Sequence, residues 1–452
     1  MELEETYQYA ERNRQRFIEE LRTLLRQPSV SAQKRGVREC AELLKKIMIE
    51  AGIETRVIPI EEGSPIVYGQ VGSERSQRTL LVYDHYDVQP PEPIDEWTSD
   101  PFAAEIREGK ITARGASDSK GNLLAYIKAV ETFLKTRGDV PVSLKFLFEG
   151  EEEIGSPHLP GFVEGNKNML KADAVVCCDG GLDPSGRPLV NLGLKGILYV
   201  ELRCKGAKTD LHSSRAPLVV NPAWRLVWLL NTLKGVDERI AIEGWYDDVQ
   251  PPTPEELKLV EDIPFDEEQL QREYGITGFL RDLHDTEALK ALIYNPTCTV
   301  CGFESGYTGP GSKTVLPSRA MVKVDFRLVY DQNPDTLLEK LKRHLDKHGF
   351  GDVEVVKLGT LEPSKTPVTA PIARVVMGAA EEVYGAKPVV YPNAAGSGPD
   401  YLFTKRLGLG SVWTGCAPPF SHAHAPNEFI TTDAFMMGIR YASAVIRGFG
   451  EY

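Results

Sequence analysis

Apolar residues recur at helical spacing over residues 3–26, where Phe17, Ile18, Leu21, Leu24 and Leu25 share one face and Pro28 closes the run. A second helical pattern covers 38–51. Short apolar runs at 54–60, 65–71 and 80–82 predict strands, and another strand at 142–148 follows a helix predicted over 122–135. A further strand is expected at 174–178. From about residue 195 the rhythm changes. Residues 197–203 alternate like a strand, and Asn221-Pro222 opens a helix lined by Trp224, Leu226, Val227, Leu229 and Leu230. An acidic, helix-rich stretch over 245–290 follows, broken by Pro251, Pro252 and Pro254. Strands at 297–303, 320–329 and 353–357 and a helix over 334–348 complete this part. After Pro367 come a helix over 371–384, apolar runs at 389–391 and 407–413, and a closing helix from Thr432.

Strands alternating with helices predict an α/β protein: an α/β/α layer built on a mixed sheet, interrupted by an inserted α+β domain. The chain divides as 1–192 and 367–452 for the first domain and 193–366 for the insert. At 452 residues the chain exceeds one ordinary core, which agrees with two domains.

The net charge of −13 argues against nucleic acid or an anionic membrane as partner, since both need basic patches. No apolar run approaches the roughly 20 residues that span a bilayer. The acidic N-terminus lacks an apolar signal core, so the cytoplasm is expected. The seven cysteines are scattered, mostly in apolar runs where thiols pack as small hydrophobes. Cys298 and Cys301 have zinc spacing but no second pair, and they read as part of a strand.

The candidate chemistry gathers where strands end. The strand at 142–148 runs into Glu151, Glu152 and Glu153, three adjacent carboxylates whose burial is costly unless a cation compensates. The strand at 80–82 leads to His85 and Asp87, which share a face of extended chain. Asp118 sits in a glycine-flanked turn at a helix entrance, and the strand at 174–178 ends at Asp179. Each alone reads as a solvated loop or a helix cap. Their recurrence at successive strand ends points to a metal site, because open α/β sheets bind ligands beyond the carboxyl ends of their strands. The glycine-rich run Gly306–Thr314 fails as a phosphate loop: Ser312 separates Gly311 from Lys313, and no helix is expected after it.

Taken together, H-Y-D at 85, R-G-A-S-D-S-K-G at 114, E-E-I-G-S at 152, C-D-G-G at 178, D-L-H-S at 210, G-S-K-T-V-L-P at 311, D-F-R-L at 325 and H-A-P-N-E at 424 resemble the co-catalytic two-metal peptidase family. That family includes carnosinase, cytosolic nonspecific dipeptidase, carboxypeptidase G and the aminoacylases, and the carnosinase and nonspecific dipeptidase branch is nearest. The resemblance covers nearly the whole chain. It implies that His85 and Asp179 hold one divalent ion, Glu153 and His424 the other, and Asp118 both. It makes Asp87 the support of His85 and Glu152 the general base. His424 rather than His422 fits the H-x-x-N-E spacing. His212 is similar to a family histidine that reaches the neighbouring subunit's site, which implies a homodimer and makes the insert a lid and dimerisation domain. Thr314, Arg327 and Ser397 match substrate contacts, and the Asp118–Ser119 peptide is expected to be cis.

The implied ions are zinc or manganese, with cobalt also compatible with imidazole and carboxylate donors. The implied substrate is a dipeptide or very short peptide, because a clamp at Arg327 needs a free terminal carboxylate within reach. Two other readings stand beside this one: an N-acyl amino acid deacylase or carboxypeptidase using the same metals, and a non-catalytic binding protein on the same fold. His158, His284, His344 and His348 read as surface or satisfied residues.

Overall fold

The computed structural model describes residues 2–452. Its largest sheet has eight strands in the order Glu54–Ile58, Ile66–Val71, Ser143–Glu149, Thr79–His85, Ala174–Cys177, Gly410–Thr414, Leu189–Asn191 and Val389–Tyr391. The four central strands, from Ser143–Glu149 to Gly410–Thr414, run parallel, so their carboxyl ends lie on one edge. The outer strands include antiparallel pairs, which makes the sheet mixed.

Alternation along the strands divides two cores. Leu80, Val82, Leu144, Phe146, Ala174, Val176 and Val412 face the helices Val37–Glu50, Gly121–Arg137, Pro371–Tyr384 and Thr432–Glu451. Leu81, Tyr83, Leu147, Val175, Cys177 and Trp413 face the helix Leu159–Gly165 and the turn at Tyr401–Phe403. The layers are therefore α/β/α, as the pattern predicts.

The predicted helix over 3–26 is two helices, Glu4–Arg12 and Arg14–Arg26. At Asn13 the backbone leaves helical geometry (φ −101°, ψ 8°), and the side chain's Nδ2 donates to Tyr9 O at 2.9 Å. A short amide side chain competes with the backbone for that carbonyl, and neither glycine nor proline marks the break.

The insert is an antiparallel sheet ordered Thr297–Ser305, Arg319–Leu328, Gly196–Lys205 and Glu354–Leu361. Leu198, Val200, Leu202, Val322, Val324 and Phe326 face the helices Pro222–Leu233 and Pro334–Lys347. Asn221 caps the first of these, its Oδ1 accepting from Ala223 N at 2.9 Å. Only one side of that helix is buried, through Leu226, Leu229 and Leu233. Trp224, Val227 and Trp228 point outward, so the predicted lining by Trp224 and Val227 is corrected: the helix is apolar on both faces. Cys298 lies in the insert's core while Cys301 is exposed, and all seven cysteines are free thiols. The helices Pro254–Glu261 and Asp285–Tyr294 place Val260, Ile263, Leu289 and Ile293 against Val389, at one end of the large sheet. No described helix is long and apolar enough to cross a membrane.

Candidate metal centre

Thr79–His85 carries His85 into the sheet's interior, so its imidazole is fully buried. The ring Nδ1 lies 3.1 Å from the carbonyl oxygen of Asp87 and 3.5 Å from Asp87 Oδ1. The Asp87 carboxylate is engaged elsewhere. It accepts the backbone N–H of Glu152 and of Glu153, each at 3.2 Å. Asp87 thus steadies His85 mainly through its main chain, and its side chain holds the glutamate turn in place.

Asp118 stands between two histidines. Its Oδ1 lies 3.1 Å from His85 Nε2, and its Oδ2 lies 2.9 Å from His424 Nε2. The Asp118–Ser119 peptide is cis. Asp179 Oδ2 is 3.9 Å from His85 Nε2, and Glu153 Oε2 is 3.1 Å from His424 Nε2. Two triads with mutually close donor atoms result, His85–Asp118–Asp179 and Asp118–Glu153–His424, and Asp118 belongs to both. His422 lies outside them: its Nδ1 is 3.3 Å from Pro426 O and its ring meets Phe429 edge-on.

The local sequence explains the convergence. Gly180 and Gly181 let the chain after Asp179 lie against Thr414–Ala417, since a Cβ at Gly180 would sit 2.8 Å from the Thr414 carbonyl carbon. Asn427 ties down the segment carrying His424, its Oδ1 accepting from Thr98 N at 2.8 Å and its Nδ2 donating to Glu96 O at 2.9 Å. His424 itself has φ +62°, an uncommon conformation for a non-glycine residue and one that clusters at functional sites. Gln89 Nε2 donates to Glu153 Oε2 at 2.8 Å. Glu151, the extra acid, faces away: it accepts Ser64 N–H at 2.9 Å and lies 2.7 Å from His158 Nδ1.

Glu428 is a residue whose role the sequence reading leaves unassigned. Its buried carboxylate accepts from Arg114 Nη1, Gly115 N and Ser117 N at 2.9 Å, and from Ser117 Oγ and Asp118 N at 3.0 Å. Burial and the charge of Asp118 push this carboxyl up, yet every backbone and guanidinium partner is an N–H donor, so the loop is built around the ionised form. Its sequence signal is the final residue of H-A-P-N-E.

Burial favours protonation of the acids here. Burial and the Asp118 charge raise Asp179 to about 7. Desolvation also pushes Glu152 well above the carboxylate range, assisted by the charges of Asp179 and Glu153. Burial alone would raise Asp118, but hydrogen bonds to His424 and His85 hold it low. Hydrogen bonds to Asp118 and Glu153 raise His424 to about 10. His85 Nε2 is buried without a well-formed hydrogen bond, despite its closeness to Asp118. Imidazole nitrogens and carboxylate oxygens crowded in this way fit a pair of divalent cations, whose charge offsets the repulsion among the acids. The side chain of Glu152 makes no hydrogen bond or ion pair among the described residues, although its backbone is fixed by Asp87.

The remaining candidates form two further groups. Arg327 Nη1 donates to Ser397 Oγ at 2.8 Å, joining insert to main sheet. His212 pairs with Val315 in a two-residue ladder, beside Thr314. Among the described residues no hydrogen bond or ion pair joins His212 or Thr314 to the acidic cluster.

The fold and these paired triads define a hydrolase of the dinuclear metallopeptidase class. Residues 81–448 match the model of peptidase family M20/M25/M40, and the chain belongs to that family. It is 30% identical over 410 residues to the Beta-Ala-His dipeptidase of Rattus norvegicus, covering 85% of this chain and 83% of the relative. Among solved structures it is similar to the M20 family metallo-carboxypeptidase Sso-CP2 from Sulfolobus solfataricus, with TM-score 0.92 and 42% identity over 96% of this chain and 99% of that one. It is also similar to the di-peptidase Dug1p from Saccharomyces cerevisiae, with TM-score 0.84 and 26% identity over 100% and 99% of the two chains.

Proposed function

We propose that this protein hydrolyses the peptide bond of dipeptides and very short peptides that end in a free carboxylate. The observation that carries this reading is the Asp118 carboxylate facing His85 with one oxygen and His424 with the other, next to an uncommitted Glu152. His85 and Asp179 would hold one cation, Glu153 and His424 the second, and Asp118 both. Zinc, manganese and cobalt all suit these donors. When bound, such ions lower the pKa of water and polarise a carbonyl.

Glu152 takes a proton from the water whose oxygen attacks the peptide carbonyl carbon. It returns that proton to the amine nitrogen as the C–N bond breaks. Burial and the charges of Asp179 and Glu153 favour uptake of a proton by this carboxyl. Arg327 and Ser397 receive the terminal carboxylate, for which a planar guanidinium is the matching donor. Thr314 is a further substrate contact.

His212 supplies a hydrogen bond to the developing oxyanion of the partner subunit's substrate. In support, Ser214 N–H donates to His212 Nδ1 at 3.2 Å, which leaves the proton on Nε2, facing outward as a donor. A homodimer has further support in the exposed Leu218, Val220, Trp224, Val227 and Trp228, an apolar surface larger than scattered single residues explain. Residues 193–366 then act as lid and dimerisation domain between 1–192 and 367–452. Seven free thiols favour a reducing compartment, the cytoplasm.

The test is Glu152→Gln. It should lower kcat about 10²- to 10⁴-fold with the bound metal unchanged. An E152Q enzyme with wild-type kcat would sink the mechanism. Carboxypeptidase action on longer peptides is the second reading, favoured by 42% identity to Sso-CP2. A panel of Xaa-Gly and β-alanyl dipeptides, N-blocked dipeptides and N-acetyl amino acids separates the two.

A further inference from the structure

Lys195 is a buried cation with no counter-charge. It is 2% exposed, its Nζ donates to Asn295 O at 2.7 Å, and no carboxylate among the described residues pairs with it. Burying a charge without a partner is costly, so a lysine in this state needs an explanation.

Its place in the insert's sheet supplies one. Arg327 sits opposite Ile197 on one side and Thr297 on the other. Lys195 lies two residues before Ile197, and Asn295 two before Thr297. In reaching Asn295, the Lys195 side chain therefore runs beside the row that contains Arg327. Burial and the charge of Arg327 together hold its ammonium down to about 8.

The main chain binds the two cations to one loop. Lys195 N–H donates to Gly396 O at 2.9 Å, and Ser397 Oγ, which receives Arg327, donates to Gly196 O at 3.2 Å. Asp325 is the acid at hand, 3.4 Å from Arg327 Nε. Burial raises its carboxyl, and its Oδ1 has no hydrogen-bond partner. The cluster thus carries surplus positive charge at the site where the substrate's carboxylate is to be received.

We propose that Lys195 is a specificity-determining residue, the second cation of the carboxylate subsite that Arg327 and Ser397 begin. Anchored to Asn295 and buried, its ammonium adds positive charge behind Arg327. Peptides ending in a carboxylate are then selected over those ending in an amide. This rests on the proposed hydrolase reading, so the test is one of binding.

A dipeptide with its peptide carbonyl reduced to methylene is not cleaved. Its free-acid and C-terminal amide forms are titrated calorimetrically into wild type, Lys195→Met and Lys195→Arg. Lys195→Met should weaken the acid about tenfold and leave the amide within about twofold, and Lys195→Arg should keep most of the acid's affinity. Equal loss for acid and amide, or no loss for either, overturns the proposal.

Should Lys195→Met fail to fold, wild type and Lys195→Arg are compared between pH 7 and about 9.5. The charged neighbours, Arg327 and the Asp325 carboxyl that burial raises, are the same in both proteins compared. Wild type should lose preference for the acid as Lys195 discharges, while the permanently charged Arg variant keeps it. Identical pH profiles overturn the proposal. Failure of wild type to cleave any short peptide would refute the hydrolase reading and leave the acid-against-amide comparison intact.

Discussion

Glu428→Gln probes how Asp118 is held between its two histidines. The amide oxygen can still accept where Oε1 meets Ser117 and Asp118, but the new NH₂ would face Arg114 Nη1 and Gly115 N–H, donor against donor. Arg114 is as buried as its partner, so the change strands a positive charge. Breaking a buried pair in this way costs about 3–5 kcal/mol, beyond the worth of any single hydrogen bond. The same change loosens the loop that presents Asp118. Removing an outer support of a metal ligand lowers affinity about 10- to 100-fold, or roughly 1.4–2.7 kcal/mol.

Two measurements separate these effects: melting of the chelator-treated protein, and metal affinity by competition with a chelator of known strength. Arg114→Met combined with Glu428→Gln removes the stranded charge. Its melting temperature should recover toward wild type while its metal affinity stays low. Wild-type metal affinity in the single Glu428→Gln variant would refute the reasoning, because the 114–118 loop would then hold its own shape.

Asp87→Asn leaves the contact between the 87 carbonyl and His85 but turns an amide toward the N–H groups of Glu152 and Glu153; metal content by elemental analysis should fall more than His85 burial alone predicts, by about tenfold in affinity. His212→Ala and Glu152→Gln chains co-expressed as verified heterodimers should recover activity at one site of two, whereas inactive heterodimers would count against sharing. Burial raises the Glu149 carboxyl to about 7, above its unfolded value, so stability drains away as pH climbs from about 4.5 through 7. Glu149→Gln still accepts from Tyr83 OH and Ser156 Oγ; in chelator-treated protein, melting scans should show it less pH-sensitive than wild type over that window and no less stable at pH 8.

The candidate metal donors are legible in part because strand ends advertise themselves: an apolar run stopping at a histidine or acid is a local pattern, and three of the five, His85, Glu153 and Asp179, follow such a run. The family motifs then assigned His424 over His422. Glu428 was not legible in the same sense. Its task depends on five donors more than 300 residues away in sequence, and a glutamate after asparagine looks like surface. Lys195 was missed because burial of a lysine cannot be read from L-K-G. Trp224 and Val227 differ for the opposite reason: an apolar residue on a helix looks the same in sequence whether it faces its own core or points outward. Asp87 lies beside His85, but the glutamate turn that claims its carboxylate comes from a different strand.

The helix pair packed on Val389 has a mechanical consequence. The insert joins the main body at two neighbouring chain crossings, near Leu194 and near Ser364, where Ser364 N–H donates to Leu194 O at 3.0 Å. Two adjacent attachments make a door hinge. Beside the Arg327–Ser397 contact, Val260, Ile263, Leu289 and Ile293 add a fastening away from that axis, like a latch. Any swing of the insert must first slide or unseat these four side chains from Val389.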